Sequence, residues 1–186
     1  GYTDPDSGFY RDLQDLFIRV THQSKDIEHG VSRKKTGAGD QGFMIGGAVV
    51  DGPEYMPTPI LIAHSLTEKI TEMREKKIIP YLFPDAKAQV IVEYDGEIAK
   101  RIVQVTVAVS HKPGIAQSDL FDEIYSKIIV PVCTSYSFKI EKRNVVVNGA
   151  GPWTVYGPLA DAGTTNRKII VDSYGGLFPH GGGGFN

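Results

Sequence analysis

The stretch Val90-Ile91-Val92-Glu93-Tyr94-Asp95-Gly96-Glu97-Ile98 decides the fold, because it places a tight-turn dipeptide between two apolar runs. Asp-Gly is favoured in two-residue hairpin loops, where the chain must adopt positive φ. Beyond the turn, four valines between residues 103 and 109 alternate with smaller or polar residues, as expected of a strand with one buried face. The sequence therefore predicts an antiparallel hairpin with arms at 90–94 and 98–110.

Helical periodicity occurs on both sides of this hairpin. Apolar residues recur at helical spacing from Ile62 to Met73, after a proline, Pro59, that suits the first turn of a helix. A second helix is predicted to begin at Ser118, as its N-cap, and to end at Pro131. Both helices are amphipathic, so each is expected to pack one face on the sheet.

Shorter strands complete the predicted fold. They are expected at 43–50, where glycines interrupt the run, and at 145–147, 153–156 and 169–171. The stretch 13–20 fits either a helical stripe or a strand, and the polar residues 23–35 indicate a surface loop. This pattern predicts an α+β fold, with mixed or antiparallel sheets and helices on one face.

Composition and charge exclude several classes of function. The 186 residues are 41% apolar and 23% charged with a net charge of −2, so no general attraction for nucleic acid is expected. No run approaches the ~20 apolar residues of a membrane span, and no signal-peptide pattern is present, so we expect no membrane partner and a cytoplasmic location. Cys133 is the single cysteine, which excludes an intrachain disulfide and a Cys-cluster zinc site.

The stretch Gly37-Ala38-Gly39-Asp40-Gln41-Gly42 matches a dinucleotide-binding motif by letter. That motif requires a strand before it and a helix after it, and the sequence predicts neither. A nicotinamide or flavin site is therefore disfavoured. The glycines present Asp40 at a loop tip, where it is either part of a tight turn or a ligand contact.

Two basic segments are candidates for phosphate binding. Lys87 follows a Pro-Asp-Ala turn at the start of a strand, and Arg167-Lys168 follows a Gly/Thr-rich turn. A guanidinium beside two ammonium groups suits several phosphate oxygens, although each could equally be a surface cation. Asp161 lies in a small-residue loop and is either an Asx-type turn residue or a ligand contact.

Other common sites are excluded by spacing. The five histidines show no metal-ligand pattern, and no Walker loop or nucleophile-elbow serine is present. Cys133 lies in an apolar context typical of a core residue.

Read together, these segments resemble the S-adenosylmethionine synthetases (methionine adenosyltransferases). The resemblance is carried by Gly37–Gly42, Pro84–Gln89, Asp161–Asp172 and the terminal His180–Phe185, in that order. It implies a multi-domain fold built from similar α/β repeats. It also implies a reaction in which the sulfur of L-methionine displaces the triphosphate of ATP. The released triphosphate is then cleaved to pyrophosphate and phosphate. Mg²⁺ and K⁺ are the implied cofactors, and a homodimer or dimer of dimers with the site at the subunit interface is the implied assembly.

The resemblance also implies roles for individual residues. Those expected to act on the triphosphate as catalytic groups are Lys87, Arg167 and Lys168. Those expected to complete the ATP site are Asp85, Trp153, Asp161 and Gly184. Those expected to contact methionine are Gln23, Asp40 and Asp161, with 23–33 as a mobile loop over the site. No metal ligand is expected in this segment.

Several departures from the family pattern bear on activity. Lys25 and Ser32 stand where the loop usually has proline and aspartate, and Ser110-His111 replaces a glutamine-histidine pair. The family's Gly-His-Pro-Asp-Lys segment has no counterpart, since no His-Pro occurs. We therefore expect an incomplete segment that cannot turn over alone, divided into 1–35, 36–155 and 156–186. The alternative is a non-catalytic ATP-binding or accessory subunit.

Overall fold

The computed structural model describes residue 9 and residues 15–31 and 41–184. Its helices are α1 (Lys25–Val31), α2 (Thr58–Glu75), α3 (Gln117–Ile124), α4 (Val130–Ser135) and α5 (Ile169–Asp172). Its strands are β1 (Leu82–Asp95), β2 (Ile98–His111) and β3 (Val145–Val147). A π-helical stretch, Tyr125–Ile129, joins α3 to α4, and short 3₁₀ turns cover Pro53–Tyr55, Lys142–Asn144 and Gly157–Leu159.

The sheet has the order β1-β2-β3 and confirms the predicted α+β class. β1 and β2 are antiparallel, and Asp95 pairs with Ile98 across Gly96, whose φ is +62°. β3 runs parallel to β2. Alternate valines of β2 are fully buried against α2 and the α3–α4 run, whereas the intervening residues 104, 106 and 108 are only half-buried. The helices therefore cover one face of the sheet.

The hairpin prediction is confirmed, but its first strand begins earlier than expected. Pro84 to Lys87 lie inside β1 and not in a turn before it. The pairing is irregular here, since Leu82 faces His111 and Ala86 faces Val109. A local bulge of this kind accommodates proline, which has no N–H to donate to the ladder.

The first predicted helix is confirmed and the second needs correction. α2 begins at Thr58 and buries the expected stripe from Ile62 to Met73. The second helix begins at Gln117, with Ala116 as N-cap, and Pro131 does not end it. The Val130 N–H donates to the Tyr125 carbonyl, five residues back. This wider turn interrupts the α-helical hydrogen bonds at the position where the ring of Pro131 would clash with a backbone carbonyl.

Several predicted strands are absent from the described ranges. Residues 15–20, 41–49 and 153–156 adopt no regular structure, and 169–171 are helical. A strand needs a pairing partner, and outside the three-stranded sheet these segments have none. The predicted loop at 23–35 contains α1, none of whose residues is buried, and 32–35 lie outside the described residues. Among the helices described, none is both long and apolar enough to cross a bilayer.

Candidate functional site

Lys87 and Trp153 meet at the open edge of the hairpin. The Lys87 Nζ lies 5.3 Å from the centre of the Trp153 ring, in cation–π geometry. The backbone N–H of His111, at the end of β2, donates to the Trp153 carbonyl at 2.9 Å. That bond holds the chain after β3 beside the strands, so an ammonium group and an indole face share one surface.

Asp85 anchors the turn that follows Trp153. Its Oδ2 accepts a 2.7 Å hydrogen bond from the N–H of Gly157, a buried residue at φ +71°. Beside this bond, the rings of Phe83 and Tyr156 stack with centroids 4.1 Å apart. The Asp85 carbonyl accepts from the Ser110 hydroxyl at 2.9 Å. Asp85 is thus a structural anchor for the site as well as a candidate ligand contact.

The turn held by Asp85 leads directly to Asp161. The Asp161 N–H donates to the Gly157 carbonyl at 3.1 Å, so the two residues are one turn apart. The Asp161 side chain is exposed. The structure therefore connects Asp85 to Asp161, which lies 76 positions further along the sequence.

Arg167 and Lys168 lie further along the same exposed segment. Arg167 Nη1 donates to the Ala162 carbonyl at 3.1 Å and its side chain packs on Gly163. Lys168 is exposed and precedes α5 as its N-cap residue. Within the described ranges, no contact joins either residue to Lys87. The predicted cations therefore form two groups.

A cavity of about 380 Å³ lies between the segment after Asp40 and the glycine run. Met44, Tyr174 and His180 line it together with Gly184, which lies against Asn166. Asp40 itself lies outside the described residues. Gln23 is exposed and precedes α1.

The residues that hold the site were not all foreseen. Gly157 and Ser110 fix Asp85, and His111 fixes Trp153. His111 is 1% exposed, its Nδ1 lies 2.8 Å from the Lys112 carbonyl, and its Nε2 is buried with no partner among the described residues. A polar pair ending a buried strand is a signal for such support, since buried polar side chains are usually hydrogen-bonded.

The described residues do not fit a protein-built metal site. Within them, no three His, Cys, Asp or Glu side chains lie close enough together to hold an ion. Cys133 is buried, as predicted for a core residue, and burial raises the pKa of its thiol to about 11. The chemistry-bearing groups that the described residues bring to this surface are cations, carboxylates and aromatic rings.

Comparison with known proteins places these features in a family. Residues 35–153 match the model of the S-adenosylmethionine synthetase central domain, and residues 155–186 match that of its C-terminal domain. S-adenosylmethionine synthases of Desulfosudis oleivorans and Sorangium cellulosum are each 39% identical to the chain over 191 residues, and that of Thermus thermophilus is 38% identical over 199. These matches cover all of the chain and 49%, 45% and 50% of the respective relatives, so the chain spans about half the length of the curated relatives it matches. The resemblance seen in the sequence is confirmed, and the chain belongs to the S-adenosylmethionine synthetase family.

Proposed function

We propose that this chain contributes the ATP site, and part of the methionine site, for synthesis of S-adenosylmethionine. The observation that carries the proposal is the convergence of Asp85, Lys87 and Trp153, three residues assigned to ATP by resemblance, on one surface. The same surface continues into the turn that bears Asp161. An aromatic face beside an ammonium suits a ligand that has both a flat base and phosphates.

In the proposed reaction the methionine sulfur attacks C5′ of ATP. A C–S bond forms, the C5′–O bond breaks, and the triphosphate leaves with the electron pair; water then cleaves the triphosphate to pyrophosphate and phosphate. Catalysis of this kind depends on in-line positioning and on neutralising the leaving group. Lys87, Arg167 and Lys168 supply positive charge for that task, and Gln23, Asp40 and Asp161 contact methionine.

The two cationic groups must approach one another for this role. Arg167 is exposed and donates a hydrogen bond to the Ala162 carbonyl, whose place a phosphate oxygen can take. A bond from the guanidinium to a charged phosphate oxygen, where both partners are ionised, is stronger than the bond to an uncharged carbonyl that it replaces. We therefore propose that the triphosphate itself draws Arg167 and Lys168 towards Lys87, with Gly184 close to the nucleotide.

The remaining parts of the proposal rest on resemblance. Mg²⁺ and K⁺ are proposed cofactors, and the described residues contain no cluster of three His, Cys, Asp or Glu side chains that could hold either ion. A homodimer or dimer of dimers, a cytoplasmic location and the mobile loop at 23–33 belong to the same proposal. So do the domain division at residues 35 and 155 and the inactivity of the 186-residue chain alone.

A non-catalytic ATP-binding role is the second candidate. The observation in its favour is that Lys87 and Arg167 make separate contacts, with Trp153 and with Ala162, because one cationic group can bind a nucleotide without driving departure of the triphosphate. Calorimetric titration of the chain with ATP and with methionine, beside a phosphate-release assay, separates the two candidates. Turnover would exclude the non-catalytic role and contradict the expected inactivity of the chain alone. Without turnover, binding of both ligands supports the synthetase role, and binding of ATP without methionine supports the second candidate.

The ATP site is tested by matched lysine variants. Lys87→Ala is expected to weaken ATP binding about tenfold or more, as loss of a phosphate contact should. Lys100→Ala removes an exposed lysine of the same sheet, paired with Asp95 at 3.1 Å, and should leave the affinity unchanged. Equal affinities for the two variants would exclude Lys87 from the site.

A further inference from the structure

A second cavity lies on the helical side of the molecule, between the turn before α2 and the end of α4. Its volume is about 520 Å³, within the range of small-molecule sites. Its lining is rich in hydroxyl groups beside a single acidic residue, Asp51, and includes Ser65, Tyr136 and Ser137. None of these residues belongs to the proposed ATP site.

Asp51 is held in place from two directions. Its carbonyl accepts a 2.8 Å hydrogen bond from the hydroxyl of Thr58, which is 1% exposed at the start of α2. Its Oδ2 accepts a hydrogen bond from the Tyr94 hydroxyl at the end of β1. Burial, together with the Asp51 carboxylate, raises the pKa of Tyr94, so this hydroxyl stays protonated and remains a donor.

The other carboxylate oxygen of Asp51 is unsatisfied. Its Oδ1 is buried and accepts no hydrogen bond from any residue that the structure describes. The ion pairs of the described residues all lie elsewhere, so no lysine or arginine among those residues neutralises this carboxylate. A buried carboxylate oxygen without a donor is unfavourable. Because the terminal torsion of aspartate has a broad energy minimum, a modest rotation can turn Oδ1 into the cavity while the carboxylate stays bonded to Tyr94.

We infer that this cavity binds a small primary ammonium compound, with the Asp51 carboxylate as its counter-ion. An ammonium group supplies both the missing donor and the missing positive charge. Its remaining N–H groups can donate to the hydroxyl oxygens of Ser65 and Tyr136, which lie 2.9 Å apart. Pro53 and Phe138, also in the lining, offer apolar surface for a short carbon chain.

The same lining disfavours other ligands. Among the described residues, no lysine, arginine or histidine lines the cavity, so it offers no positive charge to a phosphate or to the carboxylate of an amino acid. This distinguishes the site from those proposed for ATP and methionine. Within the described residues no cluster of three metal-binding side chains is found here either. The charge pattern therefore selects an amine over an amino acid, an anion or a divalent ion.

Calorimetric titration of the 186-residue chain with n-butylammonium chloride, at ionic strength matched with tetramethylammonium chloride, tests the inference. We expect saturable binding at one site, none with butan-1-ol, which lacks the charge, and none with 4-aminobutyrate, which adds a carboxylate. Binding should persist in the presence of ATP, because the two sites are separate. Equal binding of butan-1-ol, or no binding of the amine, would overturn the inference.

Variants locate the site. Asp51→Asn keeps the shape and an acceptor for Tyr94 but removes the charge, so affinity for butylammonium should fall about tenfold or more. Asp119→Asn, at an exposed position on α3, is the matched control and should bind as the parent does. Ser65→Ala should weaken binding less than Asp51→Asn. It is the replacement variant if circular dichroism shows that Asp51→Asn does not fold. K⁺ and tetramethylammonium are compared as competitors at equal ionic strength. If K⁺ displaces the amine and tetramethylammonium does not, the site belongs to an inorganic cation and the proposal is contradicted.

Discussion

The two parts of the candidate ATP site are built in different ways. Lys87 and Asp85 lie on a strand that packs on a buried core, and Trp153 and Gly157 are tied to that strand by a cation–π contact and a hydrogen bond. Arg167 and Lys168 lie in a segment, 158–184, where no residue is buried. The first part is organised by the fold, and the second is free to be organised by the ligand. ATP binding should therefore change the second part far more than the first.

The largest effect is expected from a core substitution in the first part. Leu66 is fully buried beneath the sheet, so Leu66→Ala should lower the free energy of unfolding by about 2–5 kcal/mol. Ile170, in the second part, is 42% exposed, and Ile170→Ala should cost less than about 1 kcal/mol. Urea unfolding followed by circular dichroism measures both. Similar costs would show that the two segments are equally well packed.

The pH dependence of the free energy of unfolding tests the burial of Cys133, in the core beneath the first part. Burial raises the pKa of its thiol to about 11 from an ordinary value of 9.0, so between these values the folded chain keeps a proton that the unfolded chain has lost. Stability from this group is full below pH 9 and falls as pH rises towards 11, by up to about 3 kcal/mol. Cys133→Ala should remove that portion of the loss, although Tyr81 and Tyr94, whose pKa values are also raised, add a loss of the same sign. Identical alkaline unfolding curves for parent and variant would show that the thiol is not buried.

The hydrogen bond between Asp85 and Gly157 connects the two parts. Asp85→Ala leaves the N–H of a buried residue without its partner and should cost about 1–3 kcal/mol. Asp85→Asn keeps an acceptor oxygen and should cost less. Thermal unfolding measures the difference, and ATP affinity should follow the same order because the turn carries Asp161. Equal losses in the two variants would assign the effect to charge and not to the turn.

Much of the first part was predictable, because its signals are local. The Asp-Gly turn, the alternating valines and the stripe from Ile62 to Met73 each specify an element by spacing, and all three appear. The helix end predicted at Pro131 was wrong, because a π-helical turn compensates for the proline. Such a turn forms only where tertiary packing stabilises it, which no local pattern indicates.

The second part was less predictable, because its structure does not follow from local signals. Residues 169–171 are β-branched and favour a strand by propensity, but they join no strand of the described sheet and form a short helix. The bond between Asp85 and Gly157 joins residues 72 apart, which no local pattern specifies. Resemblance identified Asp85, Lys87 and Trp153 as candidates, and only the structure shows how they meet.

The smallest effect on stability is expected from Gly163→Ala. A methyl group there would lie 2.7 Å from Arg167 Nη1, the far end of a flexible side chain, so unfolding should change by no more than about 0.5 kcal/mol. ATP binding should still weaken, by less than about tenfold, because Arg167 is displaced. Calorimetry and urea unfolding on the same samples test whether weaker ATP binding occurs with so small a change in stability. A stability loss comparable to that of Leu66→Ala would place Arg167 in a rigid part of the molecule.

Fluorescence of Trp153, the sole tryptophan of the chain, tests the proposed ATP surface most directly. Titration with ATP should give a saturable change in emission, because the nucleotide binds at the indole that lies beside Lys87. The change should require about tenfold more ATP in Lys87→Ala and be unaltered in Lys100→Ala. If calorimetry shows that ATP binds while the emission stays constant, the nucleotide lies elsewhere and the proposed site is wrong.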